Sequence, residues 1–191
     1  IITSISTGLI VSLIPNMVKD YTEKNMLAVN NNFNKCLKII ILIVAPLAIY
    51  LSGMSQSLWH VFYGTSIYGP KIIKFTIIVT IFDCLYMVLN SLLQSLNKPK
   101  IIYSSVIIGL ISNLLLDIPL MNLFYKLKIP AYYGAITATL IGFLISNTMS
   151  ITYLNKEMKL NYKETMKIIP RFVISTIILV ISLKLFNIIL P

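Results

Sequence analysis

Residues 75–96 read FTIIVTIFDCLYMVLNSLLQSL, twenty-two positions with a single charge, Asp83, among them. A helix of that length rises about 33 Å, and a bilayer hydrocarbon core is about 30 Å thick. The segment therefore reads as a membrane span. Four further stretches of the same kind lie at residues 37–54, 101–121, 132–154 and 172–190. A shorter one, residues 1–15, ends at Pro15 and would reach only about 21 Å, too little to cross unaided. It reads as the remnant of a helix cut by the start of the chain, so the chain is expected to be a piece of a larger protein. The fold class that follows is all-α: a polytopic transmembrane bundle of about six helices.

Composition supports this. Hydrophobic residues make up 57% of the chain and charged residues 12%, against about a quarter charged in soluble domains. The net charge of +10 does not point to nucleic acid, because the basic residues are scattered through the connections between spans. Lys19, Lys24, Lys35 and Lys38 flank the first connection, Lys98 and Lys100 lie in the third, and Lys156, Lys159, Lys163, Lys167 and Arg171 lie in the fifth. The second and fourth connections hold only Lys71, Lys74, Lys126 and Lys128. Basic residues concentrate on the cytoplasmic side of membrane proteins, which places the odd connections inside. Lys184, within the last span, is expected to snorkel to the outer headgroups.

Residues 16–33 are polar with scattered apolar positions and are expected to lie as an interfacial helix. Residues 55–63, SQSLWHVFY, suit the outer aromatic belt before Gly64, with His60 an interfacial side chain rather than a ligand. Pro46 lies within the second span and should kink it.

Polar residues inside spans are costly and tend to face protein or water. In the third span Thr76, Thr80, Asp83, Asn90 and Gln94 share one helical face, and in the fourth Ser105, Gly109, Asn113 and Asp117 recur every four residues. Asp83, Asn90, Gln94, Asn113 and Asp117 are the candidates for a hydrated pathway between these helices. Interhelical packing glue is the other reading of the Asn and Gln residues, whereas Asp83 favours the cavity. Gly134, Ala138, Gly142 and Ser146, with Ser150, form a small-residue stripe on the fifth span along which a second helix backbone can approach closely.

One His, one Arg and two separated cysteines, Cys36 and Cys84, offer no metal spacing and no disulfide framework. No phosphate-binding glycine loop is present, and six acidic residues leave little for acid–base work. No cofactor, no metal and no enzymatic activity are expected.

The order of local features resembles one family. Ser12-Leu13-Ile14-Pro15, Ala45-Pro46-Leu47, Phe62-Tyr63-Gly64, Leu92-Leu93-Gln94-Ser95-Leu96-Asn97-Lys98-Pro99, Asn113-Leu114-Leu115-Leu116 and Tyr133-Gly134-Ala135-Ile136-Thr137-Ala138-Thr139 follow in that sequence. The series is similar to the C-terminal lobe of the multidrug/oligosaccharidyl-lipid/polysaccharide (MOP) exporter superfamily. It comes nearest to the branch of polysaccharide biosynthesis proteins, lipid II flippases and stage V sporulation protein B-like proteins. The resemblance implies that residues 1–191 are one transmembrane lobe of a MATE-like two-lobe transporter in a bacterial cell membrane, with a missing N-terminal lobe as its partner. It also implies alternating-access export of an undecaprenyl-pyrophosphate-linked oligosaccharide or peptidoglycan precursor. A cation-coupled multidrug antiporter with a carboxylate such as Asp83 as ion site is the second possibility. A non-transporting membrane scaffold for cell-wall enzymes is the third.

Overall fold

A computed structural model describes residues 2–189, with side chains to residue 182; the side chain of Lys184 lies outside the described residues. The order is α1 (Ile2–Thr22), α2 (Met26–Ile39), a π-helical turn (Ile40–Val44), α3 (Ala45–Gly53), α4 (Ser55–Tyr63), α5 (Gly69–Ser95), α6 (Pro99–Lys126), α7 (Tyr132–Met158), α8 (Lys163–Met166) and α9 (Ile169–Ile189). There is no strand among the described residues. Among the described residues six stretches are long and apolar enough to cross a membrane: α1, α2 through α3, α5, α6, α7, and Lys163–Ser182. The protein is an all-α polytopic bundle.

The helix boundaries follow from local chemistry. Asn97, at φ 55°, adopts the left-handed conformation that ends α5, and its N–H and that of Lys98 close back on Gln94 O and Leu93 O. Asparagine tolerates that conformation better than most residues. Pro99 then opens α6, where its missing N–H costs nothing. Pro70 stands likewise in the first turn of α5, and Lys159, also left-handed, ends α7.

One expectation is corrected. No separate helix forms over residues 16–33: α1 continues past Pro15 to Thr22, and α2 begins at Met26. Pro15 removes one backbone donor, but the neighbouring Asn16 Nδ2 donates to Ser12 O at 3.1 Å. The helix runs on past the proline to Thr22. In the second span Pro46 is preceded by a widened turn, in which Ala45 N–H reaches Ile40 O five residues back. Upstream Val29, Phe33, Cys36 and Ile40 and downstream Val44, Ala48 and Ser52 are all buried.

The apolar core lies toward one end. Met17 of α1, Val29 and Phe33 of α2, Leu89, Leu92 and Leu93 of α5, and Leu154 and Met158 of α7 are almost fully buried in one cluster. The same end gathers the first, third and fifth connections. Tyr21 OH donates to Glu157 Oε1 at 3.1 Å, and Lys98 Nζ lies 3.4 Å from that carboxylate. Asn34 Nδ2 donates to Asn161 O at 2.7 Å, and Asn34 Oδ1 accepts from Thr165 N–H at 3.2 Å and Thr165 Oγ1 at 2.5 Å. The second and fourth connections meet at the opposite end through rings, Tyr68 with Tyr132 and Phe75 with Tyr133. The connections thus separate into a basic end and an aromatic end, the arrangement the lysine distribution calls for.

Candidate functional site

The polar residues of α5 and α6 do not meet across a shared space. α7 packs along both helices, and α5 and α6 touch each other far less than either touches α7. Among the described residues α6 and α7 share the most extensive contact. A Cβ added to Gly109 would fall 2.0 Å from Ser146 Oγ and 2.8 Å from Gly142 O, and one added to Gly134 only 2.5 Å from Met121 N. Ser146 Oγ donates to Ser105 O at 2.8 Å across the same seam. Gly134, Ala138, Gly142, Ser146 and Ser150 are all buried. In lipid no hydrophobic effect draws helices together, so contact at this distance is held by dispersion and such cross-helix hydrogen bonds.

Above this seam a groove of about 180 Å³ opens between α5, α6 and α7. Tyr86, Leu110, Asn113, Thr139 and Phe143 line it, with Gly109 and Gly142 at the floor. The rings of Tyr86 and Phe143 meet edge to face with centroids 5.6 Å apart, forming the wall shared by α5 and α7. Of the five candidate residues only Asn113 lines this groove. Its Nδ2 lies 3.5 Å from Thr139 Oγ1, and its Oδ1 is buried without a hydrogen-bond partner among the described residues.

Asp117, one turn further along α6, likewise buries an unpartnered Oδ1, as does Asn90 on α5. Buried acceptors of this kind are uncommon, because each forgoes its hydration. Asp83 is half-buried and forms no ion pair with a described residue. Beside it, Asn147 Nδ2 of α7 donates to Phe82 O at 3.0 Å and pins the two helices. Gln94 is exposed at the end of α5. The structure therefore scatters the candidates: Asn113 and Asp117 stand on the α6–α7 side, and Asp83, Asn90 and Gln94 stand elsewhere along α5.

No group of three His, Cys, Asp or Glu side chains converges among the described residues. The oxygens of Asn113, Asp117 and Thr139 are hard donors, suited to a proton, an alkali cation or a hydrogen-bonding ligand rather than a transition metal.

The residues that sequence patterning did not single out are Tyr86, Thr139, Phe143 and Asn147. Thr139 stands in the Gly134–Thr139 motif, and Asn147 follows directly on the small-residue stripe. Nothing in the spacing marks the aromatic pair. Sequence spacing also leaves no trace of the junction at the basic end, where Lys98 meets Glu157 and lies 5.9 Å from the Tyr153 ring centroid. Hydrogen bonding to Tyr153 and Glu157, with the Glu157 charge, holds the Lys98 ammonium above its usual range.

No family model matches this chain, and no solved structure matches it. The chain is 26% identical over 186 residues to Lipid II flippase MurJ of Bacillus subtilis (strain 168), across 95% of its own length. It spans 33% of the length of that relative. This weak homology supports the MOP exporter branch that the local motifs resemble, and the six long apolar helices among the described residues describe a multi-pass membrane protein.

Proposed function

We propose that this chain is the C-terminal transmembrane lobe of a flippase that moves a lipid-linked oligosaccharide or peptidoglycan precursor across the membrane by alternating access. The observation that carries the reading is similarity to Lipid II flippase MurJ along almost the whole chain, 186 residues. Because the chain spans only 33% of that relative, the partner lobe is proposed to come from outside these residues, with transport belonging to the pair. Sites of alternating-access transporters lie where two such bodies meet near the midplane. The polar face of α5, with Asp83, Asn90 and Gln94, and the α6–α7 groove with Asn113 are the candidate contributions of this lobe to the headgroup path.

The test is depletion of the intact protein in its host, followed by labelling of lipid-linked precursors in each leaflet. Accumulation in the inner leaflet, relieved by the wild type, is the expected result. An unchanged distribution overturns the reading. In the same assay Asp83→Ala is expected to slow export several-fold while leaving membrane insertion intact, and wild-type rates would remove Asp83 from the pathway.

A second reading, cation-coupled antiport, is favoured by the paired unpartnered oxygens of Asn113 and Asp117. Dependence of transport on a sodium or proton gradient, abolished by Asp117→Asn, separates the two.

A further inference from the structure

The fifth connection is more than a link between spans. Residues 159–167 enclose a depression of about 780 Å³ at the basic end, lined by Lys159, Leu160, Tyr162, Lys163, Met166 and Lys167, together with Asn161. Its charges and its apolar atoms are sorted. Lys159, Lys163 and Lys167 follow at four-residue steps, and Met166, 62% exposed, stands between the last two.

The acidic group facing this surface is already neutralised. Glu164 lies 2.8 Å from Lys167 Nζ and 3.7 Å from Lys38 Nζ. Lys159 and Lys163 have no ion-pair partner among the described residues, which leaves two free cations on one rim.

The surface is also held in place from below. Asn34 accepts from Thr165 and donates to Asn161 O, Asn161 N–H donates to Asn30 Oδ1 at 2.7 Å, and the Phe33 ring meets Tyr162 edge to face at 6.0 Å. Burial raises the Tyr162 phenol above its ordinary pKa, so the ring stays neutral. A connection so anchored presents its lysines in a fixed geometry. Met166 is exposed beside them, and Leu160, half-buried against the core, forms the apolar floor.

We propose that this depression is a binding site for an anionic phospholipid of the cytoplasmic leaflet. Lys159 and Lys163 would hold the headgroup phosphate, and Leu160 and Met166 would meet the glycerol and upper acyl carbons. Three features on the page select a lipid. The site lies at the basic end of a membrane bundle; its free charge is positive; and its floor is apolar, which a soluble phosphate would not require. Basic recesses on the cytoplasmic side are attracted to acidic headgroups by about 1 kcal/mol per lysine near the surface. The proposal does not depend on the transport reading.

The test compares the intact protein in mild detergent, titrated with phosphatidylglycerol, phosphatidylcholine or inorganic phosphate, and followed by native mass spectrometry and thermal unfolding. Phosphatidylglycerol is expected to be retained and to raise the melting temperature. The double variant Lys159→Gln/Lys163→Gln should lose most of that retention, at least five-fold, while melting normally without lipid. Lys126→Gln/Lys128→Gln, at the other end, is the charge-matched control and should keep it. Equal retention by both variants, equal retention of phosphatidylcholine, or full stabilisation by inorganic phosphate alone would each overturn the proposal.

Discussion

The two ends of this bundle are held together by different physics. At the basic end, α1, α2, α7 and two connections are joined by directional polar contacts: Tyr21 to Glu157, Lys98 to Glu157, and Asn34 to Asn161 and Thr165. At the aromatic end, contact is a matter of shape. Gly134 lies against the backbone of Leu120 and Met121, the Trp59 indole rests on Gly69, and tyrosine rings fill what remains. The polar junction laid over the apolar core at the basic end tolerates small changes of volume at its own residues but not the loss of a partner. An end built on close approach behaves the other way round.

Added volume at the aromatic end is the strongest way to break that contrast. Gly134→Val puts a branched side chain where even a Cβ meets Met121 N at 2.5 Å, so α6 and α7 must separate. A loss of about 3 kcal/mol is expected, at the upper end of what overpacking costs, read as a lowered melting temperature in detergent. A melting point equal to wild type would mean that the seam yields freely. Loss of a partner at the basic end comes next. Asn34→Ala leaves the buried Thr165 N–H without its partner, and frees Asn161 O, and should cost about 2 kcal/mol, while Asn34→Asp, which keeps the acceptor for Thr165, should cost less. If both substitutions cost the same, the acceptor role of Asn34 is not what matters.

The smallest effect concerns pH. The Lys98 pKa is raised in the folded protein. Its contribution to stability is therefore complete below the ordinary lysine value and is lost as pH rises through the folded value. A modest fall in melting temperature is expected only in the strongly alkaline range, and it should disappear in Lys98→Met. A fall centred near neutrality would assign it to another group. Because the pair remains about one-third exposed, the neutral-pH cost of the substitution is expected to be modest.

What the sequence made legible divides along the same line. The six spans, their order and the segregation of lysines are local or additive properties, so the apolar run at 75–96 and its counterparts were readable residue by residue. Helix ends were less so. Pro15 reads as a stop, yet α1 continues through it to Thr22. The periodicity of α5 and α6 gives a polar face to each helix but not the helix that each face meets. That is decided by the glycine seam that draws α6 onto α7. Asn113 consequently lines a groove with Tyr86 of α5, whereas Asp83 does not. The Glu157 junction joins residues 136 positions apart, and no short-range pattern encodes it.

The widened turn at Ile40–Val44 has a consequence for alignment of the chain in rotation. Each four-residue step along an ideal helix overshoots a full turn by about 40°. Buried positions at Ile40, Val44, Ala48 and Ser52 follow at such steps, so in a regular helix the stripe would wind roughly a third of the way round and leave the bundle. The π turn takes up one additional residue and returns about that much angle. The second span thus works as a helix with a rotational spacer. A chain one residue shorter there could run as a regular helix and still present the same residues inward, whereas a deletion early in α3 would turn the buried positions that follow it toward lipid.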